Sequence, residues 1–141
     1  MNKKRWTAAV LAAGMFFTTN IMTMGVAEMA EKREAVKVVQ TAGRDRLGDF
    51  APDFARYNDD ILFGEVWSKN DVLSLHDRSI VTVSALVASG VIDSSLKYHL
   101  ESAKKNGVTK DEMAEIITQL GFYAGWPNAW AAFNMAKEVY A

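Results

Sequence analysis

Three polar side chains, Glu65, Arg78 and His99, stand where a helical reading of the sequence calls for apolar ones. In the stretch DSSLKYHLESAKKNG, His99 shares a face with Leu96, Leu100 and Ala103, three residues after the first and four before the last. An imidazole on a buried stripe needs a hydrogen-bond partner or a chemical role. Glu65 borders an apolar face in the same way, four residues after Ile61 and three after Leu62. Arg78 opens the most apolar helical segment of the chain, LHDRSIVTVSALVASG, where a guanidinium either reaches back to solvent or awaits an anion. Each has a plain alternative: a satisfied core histidine, a surface carboxylate, a snorkelling cation. Together they supply the parts of a small acid–base site for an anionic substrate. Spacing does not show that they converge.

The segment GFYAGWPNAWAAF, Gly121 to Phe133, offers walls for such a site. Its backbone grammar is that of a helix junction: Gly125 suits a left-handed helix end, and Pro127 suits the first turn of the next helix, where a missing N–H is no loss. Tyr123, Trp126 and Trp130 are therefore candidate substrate-binding residues at a junction. The second histidine, His76, begins its helix beside Asp77 and reads as a solvated cap position. No HxH or HExxH spacing occurs, so no metal site is predicted. The absence of cysteine excludes thiolate catalysis, disulfides and cysteine-ligated zinc.

These residues need helices to position them, and helical patterning runs through the chain. EMAEKREAVKVVQTAGRDRL reads as a charged first helix. DFAPDFARYNDDILFGEVWSK follows, with Phe54, Tyr57, Ile61, Leu62 and Val66 at helical spacing. The segment containing Arg78 is apolar nearly all round, which predicts a buried central helix whose Ser84, Ala85, Ala88 and Ser89 admit close neighbours. The His99 helix opens on Asp93 or Ser94 and closes on Lys104, Lys105 and Gly107. Thr109 and Glu112 have capping-box spacing ahead of the stripe Met113, Ile116, Ile117 and Leu120. The last helix, from Pro127, presents Trp130, Phe133, Ala136 and Tyr140. The fold class expected is all-α, a compact bundle of five to six helices.

The first residues have a different grammar. A basic start (Lys3, Lys4, Arg5), an apolar run from Trp6 to about Phe17 and a small-residue end at Gly25 and Ala27 read as a secretory signal peptide over residues 1–27, with a domain over 28–141 and a periplasmic or secreted location. The apolar run is broken by Thr18, Thr19 and Asn20 and falls short of the roughly 20 residues a membrane span requires. Cleavage would remove three of the 16 basic residues and none of the 17 acidic ones, moving the net charge from −1 to about −4. Such a chain lacks the basic stripe that nucleic acid binding requires. With no disulfides, a domain this small gains most by burying more surface in an oligomer.

From about Tyr57 to Tyr140 the chain resembles the carboxymuconolactone decarboxylase family, in its decarboxylase-like branch. The resemblance rests on four motifs in order: FGEVW, L-x-x-R-S-I-V-T-V, L-x-x-H-L-x-x-A-x-x-N-G-V-T-x-x-E and FYAGWPNAW. It implies an alkyl hydroperoxidase D-like helical subunit that assembles into a homotrimer or homohexamer, with sites at or near subunit contacts. Peroxidase members carry C-x-x-C-x-x-x-H, and their cysteine positions fall here on Ile92 and Ser95, so disulfide-based peroxidase chemistry is excluded.

For the decarboxylase-like branch the resemblance implies Glu65, Arg78 and His99 as the catalytic residues, with no cofactor. Arg78 would hold a carboxylate, His99 would donate or shuttle a proton, and Glu65 would orient His99 or relay its proton. Tyr123 and Trp126, with Trp130 beside them, would close the pocket. The function expected is a lyase acting on a small carboxylated lactone or related carbonyl compound. The alternative is a non-catalytic oligomeric module that binds a small molecule or supports assembly.

Overall fold

The computed structural model describes residues 33–141, and the expected signal peptide lies outside the described residues. Among the described residues the chain is helical and contains no strand, which agrees with the all-α expectation. The elements are α1 (Ala42–Leu47), α2 (Pro52–Arg56) running on into a π-helix (Tyr57–Trp67), α3 (Leu75–Ala88), α4 (Ser94–Lys105), α5 (Lys110–Tyr123) and α6 (Trp126–Val139).

Three of the four long helices begin where a side chain satisfies a first-turn N–H group. Ser74 Oγ accepts from Asp77 N at 3.0 Å to start α3, and Asp93 Oδ1 accepts from Ser95 N at 2.8 Å to start α4. At α5 the capping box is complete: Glu112 N donates to Thr109 Oγ1 at 3.2 Å while Thr109 N donates to Glu112 Oε2 at 2.8 Å. Gly125 adopts φ +90° ahead of α6, a conformation that side-chain-bearing residues rarely hold, and Pro127 sits in the first turn. α3 packs on α4, and α5 on α6. Val83, Val87, Leu96, Leu100, Met113, Ile117, Ala129 and Ala132 meet in one buried core. Each fully buried Leu or Ile there contributes about 1.5–3 kcal/mol. Ala129, Ala132 and Ala136 give α6 the narrow face that lets it sit close.

Four sequence expectations about the helices change. Residues 33–41 do not form a helix; among the described residues the expected first helix is present only as Ala42–Leu47. The segment runs extended because side chains beyond the π-helix take its backbone groups. Val36 N donates to Asn70 Oδ1 at 2.8 Å, Asn70 Nδ2 donates back to Val36 O at 2.6 Å, and Val38 N donates to Ser68 Oγ at 2.8 Å. The next change concerns the π-helix, whose buried positions are Asp59, Phe63 and Trp67, continuing Ala55 of α2 at every fourth residue. Hydrogen bonding from i to i+5 widens the turn, so a face read at 3.6 residues per turn is the wrong face. Phe54, Tyr57, Ile61, Leu62 and Val66 are accordingly exposed in the single chain.

The third change is that α3 buries one stripe, Ser79, Val83 and Val87, rather than its whole circumference. Val81 is 58% exposed, and Ala85 and Ala88 also face outward. The fourth concerns α6: its buried stripe is Ala129, Ala132, Ala136 and Tyr140, and Trp130 is 68% exposed. These departures share a direction, since each leaves apolar surface uncovered.

His76 also departs from a solvated cap. Ser74 is the cap, and His76 bridges the starts of α3 and α5, with Nδ1 3.0 Å from Asp77 Oδ1 and Nε2 3.3 Å from Glu112 Oε1. The hydrogen bond to Asp77, and the second carboxylate at Glu112, raise its pKa above the ordinary histidine value against the opposing effect of burial. A raised folded-state pKa stabilises fully below the unfolded value of about 6.5, and that contribution is lost as pH rises through the folded value. Replacing His76 by Gln is therefore expected to lower Tm most near pH 5.5 and progressively less above neutrality. Melting curves of both proteins across pH test this, and a pH-independent difference contradicts it.

Candidate functional site

His99 is the residue around which a site can be built. It lies half-buried on α4 between Leu96 and Leu100, whose side chains are fully buried and fix the helix rotation. Two adjoining cavities, of about 220 and 460 Å3, share Gln40, Phe63, Tyr98 and His99 in their linings. Trp67 and Val38 close the smaller one, while Arg46 and Lys97 stand at the larger. Three parts of the fold thus surround the imidazole: the extended segment before α1, the π-helix and α4.

The wall opposite α4 depends on a buried carboxylate. Asp59, on the π-helix, has a fully buried side chain that accepts from Gly43 N and Arg44 N, both at 2.9 Å, and from Asn58 Nδ2 at 2.9 Å. Arg44 Nη1 adds a contact at 3.3 Å. Burial pushes the Asp59 carboxyl up, but the hydrogen bonds from Asn58, Arg44 and Gly43 outweigh it and hold the group below its usual range. Gly43 is required here by space: a Cβ would lie 2.7 Å from Asp59 Oδ1 and 2.8 Å from the Ala55 carbonyl. Asp59 therefore draws the start of α1 against the π-helix and carries Gln40 and Ala42 into the cavity lining.

His99 makes no side-chain hydrogen bond among the described residues; the Tyr98 ring meets it edge-on, with centroids 5.1 Å apart. Burial alone lowers its pKa, so the imidazole is neutral at pH 7, one nitrogen a donor and the other an acceptor. A neutral, unpartnered imidazole facing a cavity can accept a proton or pass one on.

The other sequence-predicted residues lie elsewhere in the single chain. Glu65 is exposed on the π-helix, between Phe63 and Trp67 in sequence but outside the linings of both His99 cavities. Arg78, in the first turn of α3, donates from Nη2 to the Lys69 carbonyl at 2.9 Å; its Nε is buried without a partner among the described residues. No carboxylate among the described residues pairs with it. Tyr123 is 83% exposed, and Trp126 and Trp130 line a separate apolar cavity of about 120 Å3 with Ala129 and Phe133. The single chain thus gathers none of these residues at the His99 cavities. No group of three or more histidine, cysteine or acidic side chains suited to a metal ion occurs among the described residues.

Sequence reasoning missed Gln40, Tyr98, Phe63 and Trp67 as lining residues. Tyr98 had a usable signal, its position beside His99 at the edge of the buried stripe. Gln40 has none, because the segment that carries it has a helical pattern in sequence.

Comparison with known proteins bears on the same residues. The chain is 44% identical to 4-carboxymuconolactone decarboxylase of Acinetobacter baylyi over 96 residues, 68% of this chain and 70% of that protein. It is also 29% identical to an uncharacterised 15.0 kDa protein in the nqo9–nqo10 intergenic region of Paracoccus denitrificans, over 83 residues, 58% of this chain and 61% of that protein. Residues 52–138, which carry the π-helix, Arg78, His99 and the aromatic junction, match the carboxymuconolactone decarboxylase family. With this match and an all-helical fold of the expected kind, the chain belongs to the carboxymuconolactone decarboxylase family.

Proposed function

We propose that the protein is a lyase that decarboxylates a small carboxylated lactone, using its own side chains and no cofactor, at the His99 cavity. The observation that carries this reading is the half-buried imidazole of His99, unpartnered among the described residues and shared by the linings of two cavities. The similarity to a 4-carboxymuconolactone decarboxylase supplies the substrate class.

The chemistry matches what such side chains can do. The bond from the ring carbon to its carboxylate breaks, CO2 leaves, and the electron pair moves through the ring double bond onto the lactone carbonyl oxygen as an enolate. Carbon then takes a proton, and the carbonyl re-forms. The reaction needs a clamp for a carboxylate, hydrogen-bond donors for the enolate oxygen and a proton donor. His99 takes up a proton from solvent and delivers it to that carbon, returning to the neutral imidazole. Arg78, whose cation has no carboxylate partner among the described residues, holds a substrate carboxylate, and Glu65 orients His99 or relays its proton.

In this reading Glu65 and Arg78 join His99 in the assembled protein rather than in the single chain. The support is the exposed apolar surface: Phe54, Tyr57 and Val66 along α2 and the π-helix that carries Glu65, and Phe122, Tyr123, Trp126 and Trp130 at the aromatic junction. Surface of this kind marks a contact. Tyr123, Trp126 and Trp130 become pocket walls once covered. The protein is exported and works as a homotrimer or homohexamer, so sedimentation is expected at three or six times the mass of a chain beginning near Glu28. A species of one chain mass, or one that retains residues 1–27, contradicts that part of the proposal.

The activity itself is tested by CO2 release from 4-carboxymuconolactone. His99→Gln is expected to lower kcat/KM roughly 10²–10⁴-fold, while Arg78→Met raises KM more than it lowers kcat. Absence of CO2 release by the unaltered protein, or full activity of His99→Gln, overturns the reading.

A further inference from the structure

The hydrogen bonds around Gln40 fix the direction of one proton. Gln40 Oε1 accepts from two backbone groups, Thr41 N at 3.0 Å and Ala42 N at 3.1 Å, so the amide cannot flip without losing both. Its Nε2 therefore faces the Tyr98 hydroxyl, 2.7 Å away. An amide nitrogen only donates, which obliges the Tyr98 oxygen to accept. The hydroxyl hydrogen is left free, and it has no acceptor among the described residues. Tyr98 and His99 are neighbours on α4 and line both cavities together.

We propose that Tyr98 is a substrate-binding residue that donates its hydroxyl proton to a carbonyl or carboxylate oxygen of the ligand beside His99, and that Gln40 is the positioning residue that holds it in that role. The inference rests on the His99 cavity being the site, and it specifies which donor meets the ligand oxygen there. Gln40 is well suited to setting specificity. It belongs to the extended segment ahead of α1, tied down by Asn70 and Ser68, and that segment precedes residues 52–138, where the family match lies. A wall contributed from outside the matched region can differ between relatives while His99 and α4 stay the same. The ligand chemistry that fits is a small lactone or carboxylate with an oxygen acceptor within reach of both Tyr98 and the imidazole.

The test uses the protein as its host produces it and a stable saturated probe, 5-oxotetrahydrofuran-2-carboxylate. Binding is followed by the imidazole NMR signals of His99, assigned through His99→Gln. Tyr98→Phe is expected to weaken the probe's Kd about tenfold with little change in Tm, since only a half-exposed hydroxyl is removed. Gln40→Glu keeps both acceptor contacts to Thr41 and Ala42 but accepts from Tyr98 instead of donating to it, which turns the hydroxyl proton away from the cavity. The double variant is then expected to bind no more weakly than Gln40→Glu alone, because Gln40 acts through the hydroxyl.

Unchanged binding by Tyr98→Phe, effects that multiply in the double variant, or a probe that leaves His99 unperturbed would each overturn the proposal. Probe binding of the expected pattern without CO2 release from 4-carboxymuconolactone retires the decarboxylase reading and leaves the Tyr98 assignment in place. CO2 release with Tyr98→Phe binding as tightly as the unaltered protein does the reverse.

Discussion

A single buried carboxylate organises the half of the molecule that faces His99. Asp59 lies within the π-helix, out of contact with water, and collects two backbone N–H groups from the start of α1 together with the amide of Asn58. A buried carboxylate is costly unless every contact it makes is a good one. The chain meets that condition by placing a glycine where no Cβ fits and by feeding α1 in backbone-first. The placement of the start of α1 follows from this anchor, and it brings Ala42 into the cavity lining beside Gln40.

The π-helix makes the anchor possible. Its wider turn places Ala55, Asp59, Phe63 and Trp67 on one line, so the residue that grips α1 and the two aromatic rings that wall the His99 cavity share a face. Where the π-helix ends, Ser68 and Asn70 take the backbone of Val38 and Val36 in the manner of a neighbouring strand. The cavity is thus enclosed by three short-range devices, a buried acid, a serine and an asparagine, while α4 holds the imidazole rigidly from the core side. Rigid placement of a catalytic group against a wall of different origin lets one chemistry serve different ligands.

Much of this was legible in the sequence, and the exceptions have physical causes. Caps at Asp93 and Thr109, the left-handed Gly125 and the Leu96, Leu100 and Ala103 stripe are local signals, and each of these elements forms as read. His99 was found because an imidazole on such a stripe is conspicuous. The face of the segment from Phe54 to Val66 was misread because the pattern was compared with 3.6 residues per turn, and no local residue announces a π-helix. The segment ending at Gln40 was misread because its structure comes from Ser68 and Asn70, about thirty residues away in sequence. Glu65, Arg78 and the aromatic junction stand out by residue type and by resemblance, and the single chain places none of them in the linings of the His99 cavities.

The account turns on the claim that ligand oxygen meets His99 in the space enclosed by Gln40, Phe63 and Tyr98. The most direct measurement is a crystal structure of the assembled protein with 5-oxotetrahydrofuran-2-carboxylate bound. The account predicts ligand density against His99, with the Tyr98 hydroxyl at hydrogen-bond distance from a ligand oxygen and Arg78 of the same or a neighbouring copy on the carboxylate. Density confined to the cavity of Trp126, Trp130 and Phe133, with His99 unoccupied, would contradict it and move the site to the aromatic junction.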